Sequence, residues 1–216
     1  VKETYDELDK RSQGGGGLTG VSSGFRELDN LTAGLQKGEL IIIAGRPSMG
    51  KTAFALNIAE HAALADEEPV AVFSMEMSAS SLAQRMISSL GRVNSHSMRT
   101  GRLEERDWNR IDGAIQQIKN APIYIDDAPS LTPIELRARA RRIQREKGLS
   151  LILIDYLQLM QVHGNKENRA TEISEISRNL KALARELDVP IIALSQSNRS
   201  VEQRTDKVPQ MSDLRE

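Results

Sequence analysis

The stretch Gly45-Arg46-Pro47-Ser48-Met49-Gly50-Lys51-Thr52 fits the phosphate-binding spacing G-x-x-x-x-G-K-[ST], and it constrains the fold more than any other part of the chain. The spacing has physical meaning only where a buried strand feeds the loop and a helix leaves it. Both flanks fit: Leu40-Ile41-Ile42-Ile43-Ala44 is a short apolar run, and Ala53 to Ala65 carries apolar residues at helical period. With glycine near 7% of average usage, the spacing arises by chance in roughly one such chain in a hundred, and the flanks lower that further. A nucleotide site in an α/β sheet is the expected consequence.

The chemistry explains the residue types. A tight strand-to-helix loop points successive backbone N–H groups inward, and Gly45 and Gly50 permit conformations and a close phosphate approach that a Cβ would block. The positive end of the helix adds to the attraction for an anion. Arg46, Pro47, Ser48 and Met49 make the body of the loop and Ala53 continues the helix, so Gly45 to Ala53 are the candidate nucleotide-binding residues. Lys51 can reach the β and γ phosphates as a point charge, while the Thr52 hydroxyl can ligate a Mg²⁺ ion bridging the same oxygens.

From Leu40 onward strand and helix patterns alternate. The expected strands are Leu40 to Ala44, Val70 to Ser74, Ile123 to Asp126, Leu151 to Asp155 and Pro190 to Ser195. Between them lie helical stretches at Ala53 to Ala65, Ser80 to Ser89, Glu104 to Asn120, Pro133 to Lys147 and Ala170 to Leu187. Thr132-Pro133-Ile134-Glu135 reads as a capping box with proline at the first helical position. Such alternation implies a mostly parallel sheet with helices on both faces and ligands beyond the carboxyl ends of the strands. Residues 1–17 read as a short helix, with Val1, Tyr5 and Leu8 at helical spacing, followed by the flexible break Gly14 to Gly17. A lone helix this short is marginal in water, so it either docks on a surface, such as that of another subunit, or frays. Residues 18–216 are the expected main domain.

At 216 residues the chain can build one sizeable core. It has no cysteine, which removes disulfides and thiolate zinc sites and fits a reducing cytoplasm. His61, His96 and His163 share no ligand spacing and read as surface residues. No stretch has the apolar length of a membrane span, and the N-terminus lacks a signal-peptide core. A net charge of −1 gives no global nucleic-acid footprint, and with aromatics at 3% base stacking is not a main binding device. Any DNA contact must come from a local patch.

The catalytic groups should lie at the strand tips. Leu151-Ile152-Leu153-Ile154-Asp155 ends an apolar run in an acid, as expected of a carboxylate that holds Mg²⁺ directly or through water. On its own it reads equally well as a buried strand ending at a turn; the lysine loop tips the reading. The next residue is Tyr156, not Glu, so a water-activating base must come from elsewhere. Glu76, after Val70-Ala71-Val72-Phe73, is the candidate, against the plainer reading of an exposed turn glutamate. Gln196 follows Ile191-Ile192-Ala193-Leu194-Ser195, and its amide can hydrogen-bond a γ phosphate and report its loss to the loop that follows. The arginines between Arg137 and Arg145 invite a nucleic-acid reading, but Leu136, Ala140 and Ile143 fall on one face, so they are more simply its solvated side. Ile173, Ile176, Leu180, Leu183 and Leu187 form an apolar stripe that reads as core.

GRPSMGKT, SMEMS around Glu76, LILIDYLQLM, EISRNLKALARELDVPIIALSQ and the terminal SDLRE together resemble the RecA-like motor domain of the DnaB family of bacterial replicative DNA helicases, from about Leu18 to Glu216. The resemblance implies a RecA-like P-loop NTPase fold, mostly parallel and covered on both faces, that hydrolyses ATP with Mg²⁺ at the interfaces of a homohexamer. It further implies movement along single-stranded DNA with 5′-to-3′ polarity, unwinding at the replication fork, partnership with primase and a helicase loader, and a cytoplasmic, nucleoid-associated location. Carried onto matching positions, it makes Lys51 and Thr52 phosphate and Mg²⁺ ligands, Glu76 the base, Asp155 the metal carboxylate, Gln196 the γ-phosphate sensor and Arg85 a residue near the nucleotide. DNA-contacting loops map to roughly Gln161 to Ala170 and Ser197 to Glu216, with Arg215 and Glu216 at the start of a backbone-gripping turn.

The family also has an N-terminal collar that binds primase, and its pattern continues past SDLRE into strands that carry an arginine finger. A C-terminally truncated domain is therefore expected to bind nucleotide but hydrolyse it weakly, since trans stabilisation of this kind is worth a factor of about 10³ to 10⁵. It is also expected to be a weak oligomer or monomer alone. Two other readings stay open from the residues. A phosphotransferase would need an acceptor pocket and an arginine-bearing lid, for which Arg99 and Arg102 leave some room. A RecA-class assembly protein gated by nucleotide would need little turnover, which makes Glu76 the discriminator.

Overall fold

The structure, a computed structural model, describes residues 17–161 and 169–196, without the side chains of Arg169 and Ala170. Five apolar runs form one sheet: β1 (Leu40–Gly45), β2 (Val70–Ser74), β3 (Ile123–Asp126), β4 (Leu151–Asp155) and β5 (Ile191–Gln196). The helices are α1 (Arg26–Thr32), α2 (Lys51–Leu64), α3 (Ala79–Gly91), α4 (Ser95–Thr100), α5 (Glu105–Asn120), α6 (Pro133–Lys147) and α7 (Arg169–Leu187), with a 3₁₀ turn at Leu157–Leu159. Spatial order is β1-β5-β4-β2-β3, and every ladder in the sheet is parallel.

That order, with right-handed crossovers, decides which face each helix covers. The chain steps from β1 to β2 to β3 in one direction, then returns through β4 to β5. The first crossovers place α2 and the α3–α5 excursion on one face; the returning ones place α6 and α7 on the other. The two cores follow the two-residue alternation of the strands. Ala71, Phe73, Ile152, Ile154, Ile191 and Ala193 meet Leu136 and Ala140 of α6 and Ile176, Leu180, Leu183 and Leu187 of α7. Val70, Val72, Leu151, Leu153, Ile192 and Leu194 meet α2 and Leu82 of α3. In α2, the small residues Ala55, Ala59, Ala62 and Ala63 are buried along with Leu56 and Ile58, as expected of a helix enclosed between sheet and neighbouring helices.

Sequence and structure differ at several edges. The last strand begins at Ile191, one residue later than expected, because Pro190 has no N–H for the ladder; it runs on to Gln196, which pairs with Gly45. Helix α2 starts at Lys51 rather than Ala53. The short helices α1 and α4 gave too few turns for periodicity, although α4 carries legible caps: Asn94 accepts from His96 N and Ser97 N, and Gly101 closes it at φ 71°. His61 is no plain surface residue. Its Nε2 is 3.1 Å from Ser22 Oγ, which donates to Asp29 at 2.8 Å, and a Cβ on Gly24 would meet the imidazole at 2.6 Å. This network fastens the segment before β1 onto α2.

The basic helix α6 follows the plainer reading. Arg137 and Arg141 pair with Glu186 of α7, Arg139 binds both oxygens of Asp126, and Leu136 and Ala140 are buried beneath. Its capping box is formed as read. Thr132 Oγ1 accepts from Glu135 N at 3.2 Å, and Glu135 accepts from Thr132 N at 2.8 Å. Thr132→Ala is expected to cost about 1 kcal/mol, a fall of about 2–4 °C in Tm by thermal melting. Among the described residues no helix is long and apolar enough to cross a membrane. The expected helix within residues 1–13 lies outside the described residues.

Candidate nucleotide site

The loop from β1 into α2 takes two left-handed residues, Gly50 at φ 85° and Ser48 at φ 64°. A Cβ on Gly50 would meet nothing within 4 Å, so this glycine answers to backbone conformation and to what can approach from outside, not to packing. Arg46, Pro47, Ser48, Met49 and Ala53 are all exposed around it. At Gly45 a Cβ would sit in ordinary contact with the Lys51 stem at 3.4 Å. Lys51 folds back across the loop, with Nζ donating to Gly45 O at 2.7 Å and to Arg46 O at 2.9 Å. Burial pulls its pKa down, opposed by the charges of Asp155 and Glu76. The ammonium is thus held ready by two carbonyls that an anion can replace.

The parallel register brings the remaining groups level with the loop. Gly45 is opposite Gln196, Ala44 opposite Ser195, and Ser74 opposite Asp155. Thr52 Oγ1 donates to Asp155 Oδ2 at 3.0 Å, joining residues 103 apart in sequence. Asp155 is only 3% exposed, and burial raises its pKa; the Thr52 bond opposes this, Glu76 adds to it, and Lys51 and Arg85 oppose it. Glu76 and Arg85 therefore both lie within electrostatic reach of the Asp155 carboxylate.

Glu76 is exposed just past β2, in a turn fixed from both sides. Met75 N donates to Asp155 O at 2.8 Å; Ser74 Oγ donates to Met77 O at 2.8 Å and accepts from Met77 N at 3.2 Å. Ser74 and Ser195, both buried, and Gln158 were not read from the sequence as site residues. Serine and glutamine are too common at strand ends for type and position to single them out. Arg215 and Glu216, and most of the two loops expected to contact DNA, lie outside the described residues.

Oxygen donors suit Mg²⁺, which takes one or two protein ligands and completes its octahedron with phosphate oxygens and water. Thr52 Oγ1 and Asp155 Oδ2, joined by a 3.0 Å hydrogen bond, are the two oxygens that would hold such an ion. Among the described residues no three His, Cys, Asp or Glu side chains gather into a cage of their own. The donor set fits a cation that arrives with a polyphosphate.

The family described as DnaB-like helicase C terminal domain matches residues 20–216. The chain is 54% identical over 215 residues to the replicative DNA helicase DnaB of Geobacillus stearothermophilus, covering 99% of this chain and 47% of that protein. It is 53% identical to the replicative DNA helicase DnaC of Bacillus subtilis (strain 168), with the same coverage of 99% and 47%. The chain thus spans about half the length of these curated relatives. Among solved structures, a DnaB-like replicative helicase described with its primase interactions superposes with a TM-score of 0.91 at 39% identity, covering 100% of this chain and 52% of that one. A second solved structure, described as an ATPase domain, superposes with a TM-score of 0.93 at 38% identity, covering 99% of this chain and 76% of that one.

Proposed function

This chain belongs to the DnaB-like helicase C-terminal domain family, and from that membership we propose that it is the ATP-driven motor of a replicative DNA helicase. One observation carries the proposal: the glycine loop, Lys51, the Thr52–Asp155 pair and Glu76 converge on the carboxyl edge of the sheet. Loop N–H groups and Lys51 bind the β and γ phosphates. Thr52 and Asp155 would hold Mg²⁺, which when bound would supply positive charge against the negative charge developing on the phosphate oxygens. Glu76 takes a proton from the water whose oxygen attacks the γ phosphorus as the bond to the β–γ bridging oxygen breaks, releasing ADP and phosphate. Gln196 senses the γ phosphate and Arg85 adds positive charge nearby.

In the full-length protein the cycle drives movement on single-stranded DNA within a homohexamer that works with primase and a loader at the cytoplasmic nucleoid, and Arg215 and Glu216 grip the DNA backbone. We assign residues 1–17 to the linker and residues 18–216 to the motor domain.

The test is phosphate release from ATP by the full-length protein, with and without single-stranded DNA, using Lys51→Ala as the blank. DNA-stimulated release that disappears in the blank is expected. Lys51-dependent turnover indifferent to DNA sinks the motor reading, and a phosphorylated acceptor replaces it with a phosphotransferase.

A further inference from the structure

The ladder between β4 and β5 starts at Ile152 opposite Ile191 and stops at Ile154 opposite Ala193. The last two residues of β5 are paired with β1 on one side, Ser195 with Ala44 and Gln196 with Gly45. On the other side the Gln158 side chain, from the 3₁₀ turn after Asp155, takes the place of a strand. Its Nε2 donates to Ser195 Oγ at 2.9 Å and to Gln196 O at 3.1 Å, and its Oε1 accepts from Gln196 N at 3.3 Å. A primary amide that both donates to and accepts from one residue's backbone does what a neighbouring strand would do. Glutamate keeps the acceptor and loses the donor, and leucine loses both.

We propose that Gln158 is a positioning residue for ATP hydrolysis, clamping the tip that carries Gln196 to the strand that carries Asp155. The inference rests on the ATPase reading above. Where a side chain points at a strand end is set by its backbone, and Gln196 must meet the γ phosphate while Asp155 is held by Thr52 across the site. With the clamp in place, both tips move as one body, so loss of the γ phosphate is felt at β5. Without it, among the described residues Ser195 Oγ retains a 3.5 Å contact with Gln196 O, and the tip is fastened from the β1 side. A misplacement of about 1 Å at a reacting centre costs about 10²-fold in rate.

The experiment uses the full-length protein carrying Gln158→Leu or the near-isosteric Gln158→Glu, each also in a Gln196→Ala background. Nucleotide affinity is read with a fluorescent ATP analogue and turnover by phosphate release with single-stranded DNA. Affinity is expected to stay within about twofold, because the clamp holds Ser195 and Gln196 and not the phosphate loop. DNA-stimulated kcat should fall about 10- to 100-fold in either variant, yet by less than about twofold once Gln196 is alanine, since the group being positioned is gone. Equal losses in both backgrounds, or loss of nucleotide binding in both variants, mark Gln158 as merely structural and overturn the proposal. A responsive wild type with variants at wild-type kcat also overturns it alone. A wild type that DNA does not stimulate overturns the function proposed above, and this inference with it.

Discussion

Changing Glu76 to Gln is expected to lower phosphate release at saturating ATP by about 10³-fold while leaving nucleotide affinity within about threefold. A positioned general base contributes about 10² to 10⁴ in rate, and glutamine keeps the shape of the side chain without its ability to take a proton. The fold should not suffer: Glu76 is exposed, and its turn is held by Ser74, Met77 and the Met75–Asp155 backbone bond, none of which involves the carboxylate. Removing its charge also relieves the repulsion on Asp155, which favours the ionised form of that carboxylate. Lys51→Ala should behave differently, losing affinity and turnover together, because the lysine acts on ground-state phosphates as well as on the transition state. Single-turnover quenching, read beside equilibrium binding, separates the two. Turnover of Glu76→Gln within tenfold of wild type places the base elsewhere, and the nucleotide-gated assembly then becomes the better reading.

What the sequence made legible was whatever a local pattern encodes. The strand–loop–helix around Lys51, the β4 tip at Asp155 and the Thr132 capping box each sit within about a dozen consecutive residues, so spacing and apolar period sufficed. Of the stripe read on α7, Ile176, Leu180, Leu183 and Leu187 are buried in the core, whereas Ile173, near the start of the helix, is only half-buried and lies outside it. Ser74, Gln158 and Ser195 were not legible, because their roles arise only when parallel register aligns the tips of β2, β4 and β5, and register is set by pairing between segments far apart in sequence. Ser48 at φ 64° was equally hidden: the motif leaves that position free, and nothing in a serine announces a left-handed backbone. The contacts of His61 were hidden for a third reason. Counting histidines by ligand spacing looks for metals and overlooks a ring that instead joins Ser22 and Asp29 to α2.

Beside that ring lies a carboxyl group the proposed chemistry does not use, and its stability should depend on pH. Glu60 on α2 is 6% exposed, and burial raises its pKa from 4.5 to about 7, opposed by the Ser89 hydroxyl that donates to it at 3.0 Å. Below the unfolded value the group is protonated in both states and contributes nothing to pH dependence. As pH rises from there, the unfolded chain releases its proton while the folded chain retains it, so stability falls across the window up to about 7 and then levels off. At 1.36 kcal/mol per pKa unit the full penalty is about 3 kcal/mol. Glu60→Gln removes the ionisation and keeps an acceptor for Ser89, so it should raise Tm by about 6–12 °C at pH 8 and change it little at pH 4. Urea unfolding of both proteins at pH 4, 6 and 8 checks this, the difference between the two profiles reading the contribution of the Glu60 carboxyl, which lines a cavity of about 680 Å³. Parallel profiles would mean that Glu60 is charged in the folded protein at little cost, with water in the cavity hydrating it.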